Sequence, residues 1–313
     1  MKNKKKVTIA NFNCTYGEKD EPMLTYFENL VLPSFKGSFK RFASKQDNYF
    51  FDKVQVIEYK PNEYVLTGIL IRSTILEVKS RYYIDSGLID VNDKIKTDPY
   101  SIFAIYLKNH RMILLQNQKG SPDIRSFRAT IRDIMEQVRN NFNKDNNNHQ
   151  IPYINLNITT IPSKYEIKTQ IENMKSIQKL SLKFYPLNGD VDPSSTIASL
   201  RSQLDSLGSK SGSLDFKNPK NINNVSNFIE NTKGTSDTTL FATFNDGSSR
   251  KIVNDEFSEK ILITIDESTP YPQNILEVMD ELNDKEELNE CSQENKNIYM
   301  KFFDIIRNIA SLF

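Results

Sequence analysis

"YVLTGILIRSTILEVKSRYYI", residues Tyr64 to Ile84, is dense in β-branched and aromatic side chains and holds no proline, so it reads as extended chain. "FFDKVQVIEY" (Phe50 to Tyr59) precedes it, and "KPNE" between them supplies a reversal, because Pro61 presets one backbone angle and Asn62 tolerates a turn conformation. "YSIFAIYLKNHRMILLQNQ" (Tyr100 to Gln118) repeats the pattern, with Lys108-Asn109-His110 as the tip between two apolar arms. An antiparallel meander of about four to six strands is expected.

A helix follows in "GSPDIRSFRATIRDIMEQVRNNF" (Gly120 to Phe142). Ser121 is placed to cap it, Pro122 suits the first helical position, and Asp123 favours the positive helix end. Ile124, Phe127, Ile131, Ile134, Val138 and Phe142 recur at three- and four-residue spacing, which makes one apolar stripe for packing on the sheet. "NNFNKDNNNHQ" (Asn140 to Gln150) then breaks all periodicity and reads as a linker or long loop.

Beyond the linker the pattern mixes strands and helices. Strands are expected in "PYINLNITTI", "KLSLKFYPL" and "KILITI", with a hairpin turning at Asn245-Asp246-Gly247. Helices are expected around 164–177, 194–207 and 225–231, and a mobile connection around a short strand in the Gly/Ser/Asn-rich 208–224. "NKNIYMKFFDIIRNIASLF" closes the chain as a helix apolar over most of its circumference, which predicts burial in the core or against another subunit. The fold class is therefore α+β, mainly antiparallel sheets with packed helices. Two parts are expected, a basic one at 1–145 carrying an arginine-striped helix and an acidic one at 146–313 ending in the apolar helix.

A chain of 313 residues can bury a sizeable core in two ordinary domains or one large one. Nowhere does it hold the roughly 18 to 20 consecutive apolar residues of a membrane span. The lysine-rich start (Lys2, Lys4, Lys5, Lys6) reads as a frayed basic terminus, and the expected location is cytoplasmic. Cys14 and Cys291 are too few for a disulfide scaffold or a zinc cluster and read as free thiols.

The net charge of +1 conceals an asymmetry. Residues 1–150 carry 24 Lys and Arg against 17 Asp and Glu, a surplus of +7, whereas 151–313 carry 17 against 23, or −6. The first part could attract a polyanion and the second could not. On the helix, Arg125, Arg128, Arg132 and Arg139 fall within an arc of about 60°, beside the apolar stripe and along about 20 Å of axis. Such a row matches successive phosphates, which guanidinium groups bind bidentately, and it also suits arginines that snorkel or pair at the core's edge. Lys108, Arg111 and Lys119 are near in sequence. "SFKGSFKRFASK" (Ser34 to Lys45) adds Lys36, Lys40 and Arg41, with Lys45 beyond, interleaved with Phe35, Phe39 and Phe42. These phenylalanines are spaced to face a core, so the cations count as auxiliary phosphate contacts only if the fold sets them beside the arginines. DNA bound through its phosphates without sequence readout is the leading expectation.

Catalytic signatures are sparse. His110 and His149 lack partners at metal spacing, and neither a phosphate loop, a dinucleotide fingerprint nor a nucleophile elbow occurs. "LEVK" places Glu77 and Lys79 on one strand face, where with Asp52 or Glu63 they could hold Mg²⁺ in a nuclease. "IEYK" repeats that spacing at Glu58 and Lys60, and cross-strand ion pairing accounts for it equally. A third possibility is an adaptor using the acidic 277–294 and the terminal helix to bind a protein. The run "DELNDKEELNE" (Asp280 to Glu290) also suits an ordinary solvated surface.

The order of features resembles the RexA-like phage-exclusion proteins, which look like the RdgC group in fold. The likeness runs through the strand region, "PYSIFAIYLKNHRMILLQNQKGSPDIRSFRATI", "LSLKFYP", "TTLFATFNDGSSRKIVNDEFSEKILITI" and "NKNIYMKFFDIIRNI". This chain departs from that template at 140–150 and 208–224. The resemblance implies a homodimer that binds DNA without sequence specificity, acts in anti-phage defence and works with a membrane effector. No cofactor is expected from the motifs. It supplies no site residues; those named above rest on charge placement.

Overall fold

The lysine-rich start is not frayed. In the computed structural model, which describes every residue except Met1, Pro193, Glu267, Ser268, Pro270 and Pro272, Lys2–Tyr16 forms strand β1 inside the larger of two sheets. Its side chains alternate between two covered faces, Val7 and Ile9 on one and Ala10, Phe12, Cys14 and Tyr16 on the other. Both faces are covered, the first continuing as the buried polar Asn11, Asn13 and Thr15, so the strand is stable only between neighbours.

The elements run as β2 (Glu21–Pro22), a 3-10 turn and a π turn to Val31, α1 (Leu32–Lys36), β3 (Arg41–Phe42), β4 (Asn48–Lys60), β5 (Glu63–Tyr83), β6 (Gly87–Thr97), β7 (Tyr100–Tyr106), β8 (Arg111–Gln116) and α2 (Ile124–Asp145). Then come β9 (Ile154–Thr160), α3 (Lys164–Glu172), β10 (Met174–Phe184), α4 (Ser195–Ser206), β11 (Gly212–Lys217), α5 (Ile222–Glu230), β12 (Ser236–Phe244), β13 (Ser249–Val253), a 3-10 turn (Asn254–Glu256), β14 (Ile261–Asp266), α6 (Gln273–Glu281), α7 (Glu286–Asn289) and α8 (Gln293–Ala310). The fold is α+β with antiparallel sheets. The expected turns form where their residues allow them: Asn62, His110 and Gly247 all have positive φ, at 62°, 58° and 83°.

The larger sheet has ten strands, in the order β14-β1-β8-β7-β5-β4-β3, with β2 and β9 also on β1 and β6 on β5. It exceeds the expected meander because β9 and β14 return to β1, pairing with Ala10–Tyr16 and Lys2–Val7. A boundary at 145/146 therefore does not separate the sheets. The asparagine-rich stretch is a tied turn rather than a linker: the Asn143 side chain accepts from Ile151 N at 2.7 Å and donates to its carbonyl at 2.9 Å, sending the chain straight back into β9.

One face of this sheet is covered by α1, α2 and α8, the other by α6 and α7. On the first, Phe35, Phe51, Phe103 and Phe127 form a ring cluster with centroids 4.7 to 6.3 Å apart. Helix α2 begins two residues later than its sequence suggests: Asp123, not Ser121, accepts from Ser126 N at 2.8 Å, while the Ser121 hydroxyl caps the preceding turn at Gln118 N. Helix α8 is not buried all round. Tyr299, Ile306 and Ile309 face the core, but Met300 and Ile305 are exposed. In "SFKGSFKRFASK" the helix stops at Gly37, so Phe35 is core, Phe39 is half-buried and Phe42 is 75% exposed on β3.

The smaller sheet is β11-β10-β12-β13. Its inner face (Leu180, Leu182, Leu240, Ala242, Ile252) packs on α3, α4 and α5. Helix α3 ends at Glu172, and β10 starts at Met174 with bulges near Ser176 and Lys179, so the expected helix to 177 is shorter and the strand longer. The Gly/Ser-rich stretch contains β11 as an edge strand. No lid or helix covers the sheet's outer face among the described residues.

Phe127 touches three other rings and is fully buried, so Phe127→Ala is expected to destabilise the chain by about 3 to 5 kcal/mol through lost transfer energy and a cavity. Urea unfolding followed by far-ultraviolet circular dichroism measures it. A loss under about 1 kcal/mol would mean that the ring cluster is not a cooperative core.

Candidate nucleic-acid interface

The arginine arc borders the apolar stripe of α2, so packing that stripe on the sheet sets the arginines over β9. That strand pairs only with β1 among the described residues, leaving carbonyls on its other edge. Arg128 Nε donates to the Ile158 carbonyl at 2.6 Å, and Arg132 donates to that of Leu156 at 3.0 Å. Arg125 and Arg128 also pair with Asp255, at 3.1 and 3.2 Å, and Arg139 pairs with Glu136 at 3.1 Å. The row is thus partly a seam joining α2 to β9 and to the turn after β13. Arg125 remains 60% exposed and Arg132 is exposed beyond its one tether.

The other cations named from the sequence do not join one surface. Arg41 donates to Thr130 Oγ1 at 3.0 Å and Gln137 donates to the Lys40 carbonyl, so this group flanks α2 on the side away from the arginines. Asp133 and Glu136 lie on the outer helix face between the two flanks, by the helical advance of about 100° per residue. Lys36 and Lys40 are exposed and stand over the Phe313 and Phe50 rings. Lys119 is exposed in the turn before α2, and Lys108 pairs with Glu63.

Arg111 is the clearest departure from a phosphate-contact role, because it is only 5% exposed. It belongs to a buried polar group centred on Asp190, whose carboxylate accepts from Asn11 at 2.5 Å, from Asn295 at 2.9 Å and from Arg111 at 3.5 Å. These contacts join β1, β8, α8 and the loop leaving β10. Adjacent His110 is fully buried, beside the Asn295 side chain and the Asp190 carboxylate. Burial pushes its pKa down to about 4, against the opposing pull of Asp190.

What faces the open arginine end of α2 was hidden in the acidic half. Arg125 and Arg128 form one wall of a cleft of about 540 Å³ whose other wall includes Lys183, Lys251 and Asp237 from the outer face of the smaller sheet. Across that face, strand register sets Lys217, Lys179, Phe241 and Lys251 in one row. Phe241 is 39% exposed, with the Lys179 ammonium 6.0 Å from its ring centre. Lys179 pairs with Asp215 at 2.8 Å, and this contact with the Ser181 hydroxyl holds the Asp215 carboxyl below its usual range. The signal for this face was the alternation in "KLSLK" (Lys179 to Lys183), whose lysines all point one way on a strand. A summed charge of −6 over that half masked it.

The nuclease residues do not converge. Glu77 pairs with Lys94 at 3.6 Å far out on β5. Asp52 stands opposite Ile69, eight residues before Glu77 and so about 26 Å along the strand, while Glu63 is fourteen residues away, about 46 Å. No three His, Cys, Asp or Glu side chains lie close enough to hold a metal ion among the described residues. The acidic segment and terminal helix of the adaptor reading are built into the two cores through Val278, Leu282, Leu288, Tyr299 and Ile306. No helix is long and apolar enough to cross a membrane among the described residues. Comparison with protein-family models, curated proteins and solved structures finds no match for this chain.

His110 gives a pH signature with a defined sign. It stays neutral in the folded chain down to about pH 4 but takes a proton near 6.5 when unfolded, so stability is full above 6.5 and is lost as pH falls from 6.5 towards 4. The loss is about 3 kcal/mol at 1.36 kcal/mol per pKa unit. His110→Asn removes the titration and tolerates the positive φ. Urea midpoints measured from pH 7 to 4 are expected to fall more steeply for the parent chain; parallel curves would remove His110 as the cause.

Proposed function

We propose that this chain binds nucleic acid through its sugar-phosphate backbone, without sequence readout, in the cleft between α2 and the outer face of the smaller sheet. The observation that carries this reading is convergence: Arg125, Lys183 and Lys251 come from three separate segments to line one cleft, with Asp237, Asp255 and Glu256 among them, and the exposed ring of Phe241 stands opposite Lys251 beside it. Cations supply affinity by releasing counterions from phosphates. Phe241 offers a stacking surface that any base can use, which favours single strands with accessible bases over a duplex. The resemblance to RexA-like proteins supports the same direction and would make the setting one of anti-phage defence.

Mobility shifts in a salt titration test the site. Arg125→Ala/Lys183→Ala/Lys251→Ala is expected to lower low-salt affinity at least tenfold and to flatten the slope of log K against log salt by about 2 to 3. Arg128 and Arg132 are poor choices for this test, because their loss strips β9 carbonyls of donors. No affinity at low salt, or an unchanged slope in the folded triple variant, overturns the reading. Phe241→Ala is expected to cost about 1 to 3 kcal/mol with a single-stranded oligonucleotide and little with duplex of equal length. Equal losses on both would dismiss stacking.

A further inference from the structure

Strand β5 outruns its neighbours. β4 stops opposite Ser73 and β7 opposite Ile71, and from Thr74 onward β5 pairs only with β6, which itself pairs with nothing else among the described residues. The result is a two-stranded arm about 33 Å long. Such a ribbon is marginal on its own, and this one leaves strand edges open on both sides. It is also amphipathic. Leu76, Tyr82, Leu88 and Ile95 share one face by register, exposed at 54, 73, 71 and 44%, and the tip residue Ile84 is 92% exposed.

We propose that the arm pairs with the arm of a second copy of this chain, β5 antiparallel to β5 about a two-fold axis through Val78. The charges select that register. With the axis at Val78, Glu77 of each arm stands opposite the partner's Lys79, giving two ion pairs, and Val78 meets the partner's Val78. Moving the axis one residue either way sets Glu77 against the partner's Glu77, or Lys79 against the partner's Lys79, and like charges directly opposite are destabilising. Lys79 has no ion-pair partner within its own chain among the described residues, whereas Glu77 reaches Lys94 only at 3.6 Å.

The same register settles what meets the tip. Tyr82 falls opposite the partner's Thr74, so Tyr83 and Ile84 arrive where β4 of the second copy begins. Next to that point, one strand over, β3 carries Phe42, paired through Asn48 and 75% exposed. One axis thus pairs the free β5 edges, matches both charges and brings two otherwise solvated apolar groups together twice, as an isologous interface requires.

The test uses the full chain. Opposed residues in antiparallel strands have Cα atoms about 4.5 to 5.5 Å apart, inside disulfide range, so Val78→Cys is expected to give a covalent dimer on mild oxidation. The parent chain and Ile84→Cys, which has no counterpart across the axis, are expected not to. Light scattering over a concentration series supplies a second readout: Glu77→Lys is expected to weaken self-association about tenfold, and Glu77→Lys/Lys79→Glu to restore it. Both variants are at exposed positions, so folding is not at stake. A chain that stays monomeric and uncrosslinked overturns the proposal, as does a dimer that neither Val78→Cys locks nor Glu77→Lys weakens. Protection of the arm from proteolysis only when an oligonucleotide is added would assign it to that ligand instead.

Discussion

Everything in the larger sheet depends on the burial of β1 on both of its faces. Its backbone groups cannot turn to water, so each must find a strand. β8 supplies one edge, and β9 and β14, from far along the chain, share the other. This obligation decides the topology: the chain must return to its own beginning twice, and no cut near residue 145 leaves two self-sufficient pieces. β1 also ties the sheets together, since Asn13 accepts from Asn188 N at 2.6 Å and donates to the Pro186 carbonyl, and Asn11 reaches Asp190.

What the sequence disclosed was local. The reversals at Pro61-Asn62, at Lys108 to His110 and at Asn245 to Gly247 rest on residues whose own backbone preferences make the turn, and the stripe of α2 rests on a spacing contained in one helix. Pairings between residues separated by hundreds of positions leave no such mark. Lysines at the start of β1 concealed a central strand because they occupy the end that runs out between β14 and β8, where Lys5 reaches the Asn117 carbonyl. Helix α8 misled for another reason. A count of its apolar residues suggested burial in the core or against another subunit, whereas the angular positions of Met300 and Ile305 leave them exposed on the single chain.

Charge was legible by amount and not by use. The four arginines of α2 fall where the spacing put them, yet two of them spend donors on β9 carbonyls. A guanidinium is weakly hydrated and presents its donors in a rigid fork, which suits a seam between helix and strand. A lysine ammonium holds its water more tightly and stays outside, which is why Lys179, Lys183 and Lys251 are found on an open sheet face. Residue type therefore sorts buried seam from open surface better than the density of cations does. A block count works against strands in particular, because alternation gives half of each strand to the core and divides the cations among inward residues of no charge.

The Glu-x-Lys spacing at Glu77 illustrates the same point from the side of chemistry. On a strand, that spacing fixes only that two opposite charges share a face; a metal site needs further carboxylates within a few ångströms, and register puts Asp52 and Glu63 tens of ångströms away. Because opposite charges separated by two residues are mirror images about the residue between them, the motif is complementary to itself when a strand meets its own copy antiparallel. On an arm whose β5 edge is unpaired among the described residues, that geometric property is what the proposed self-pairing rests on.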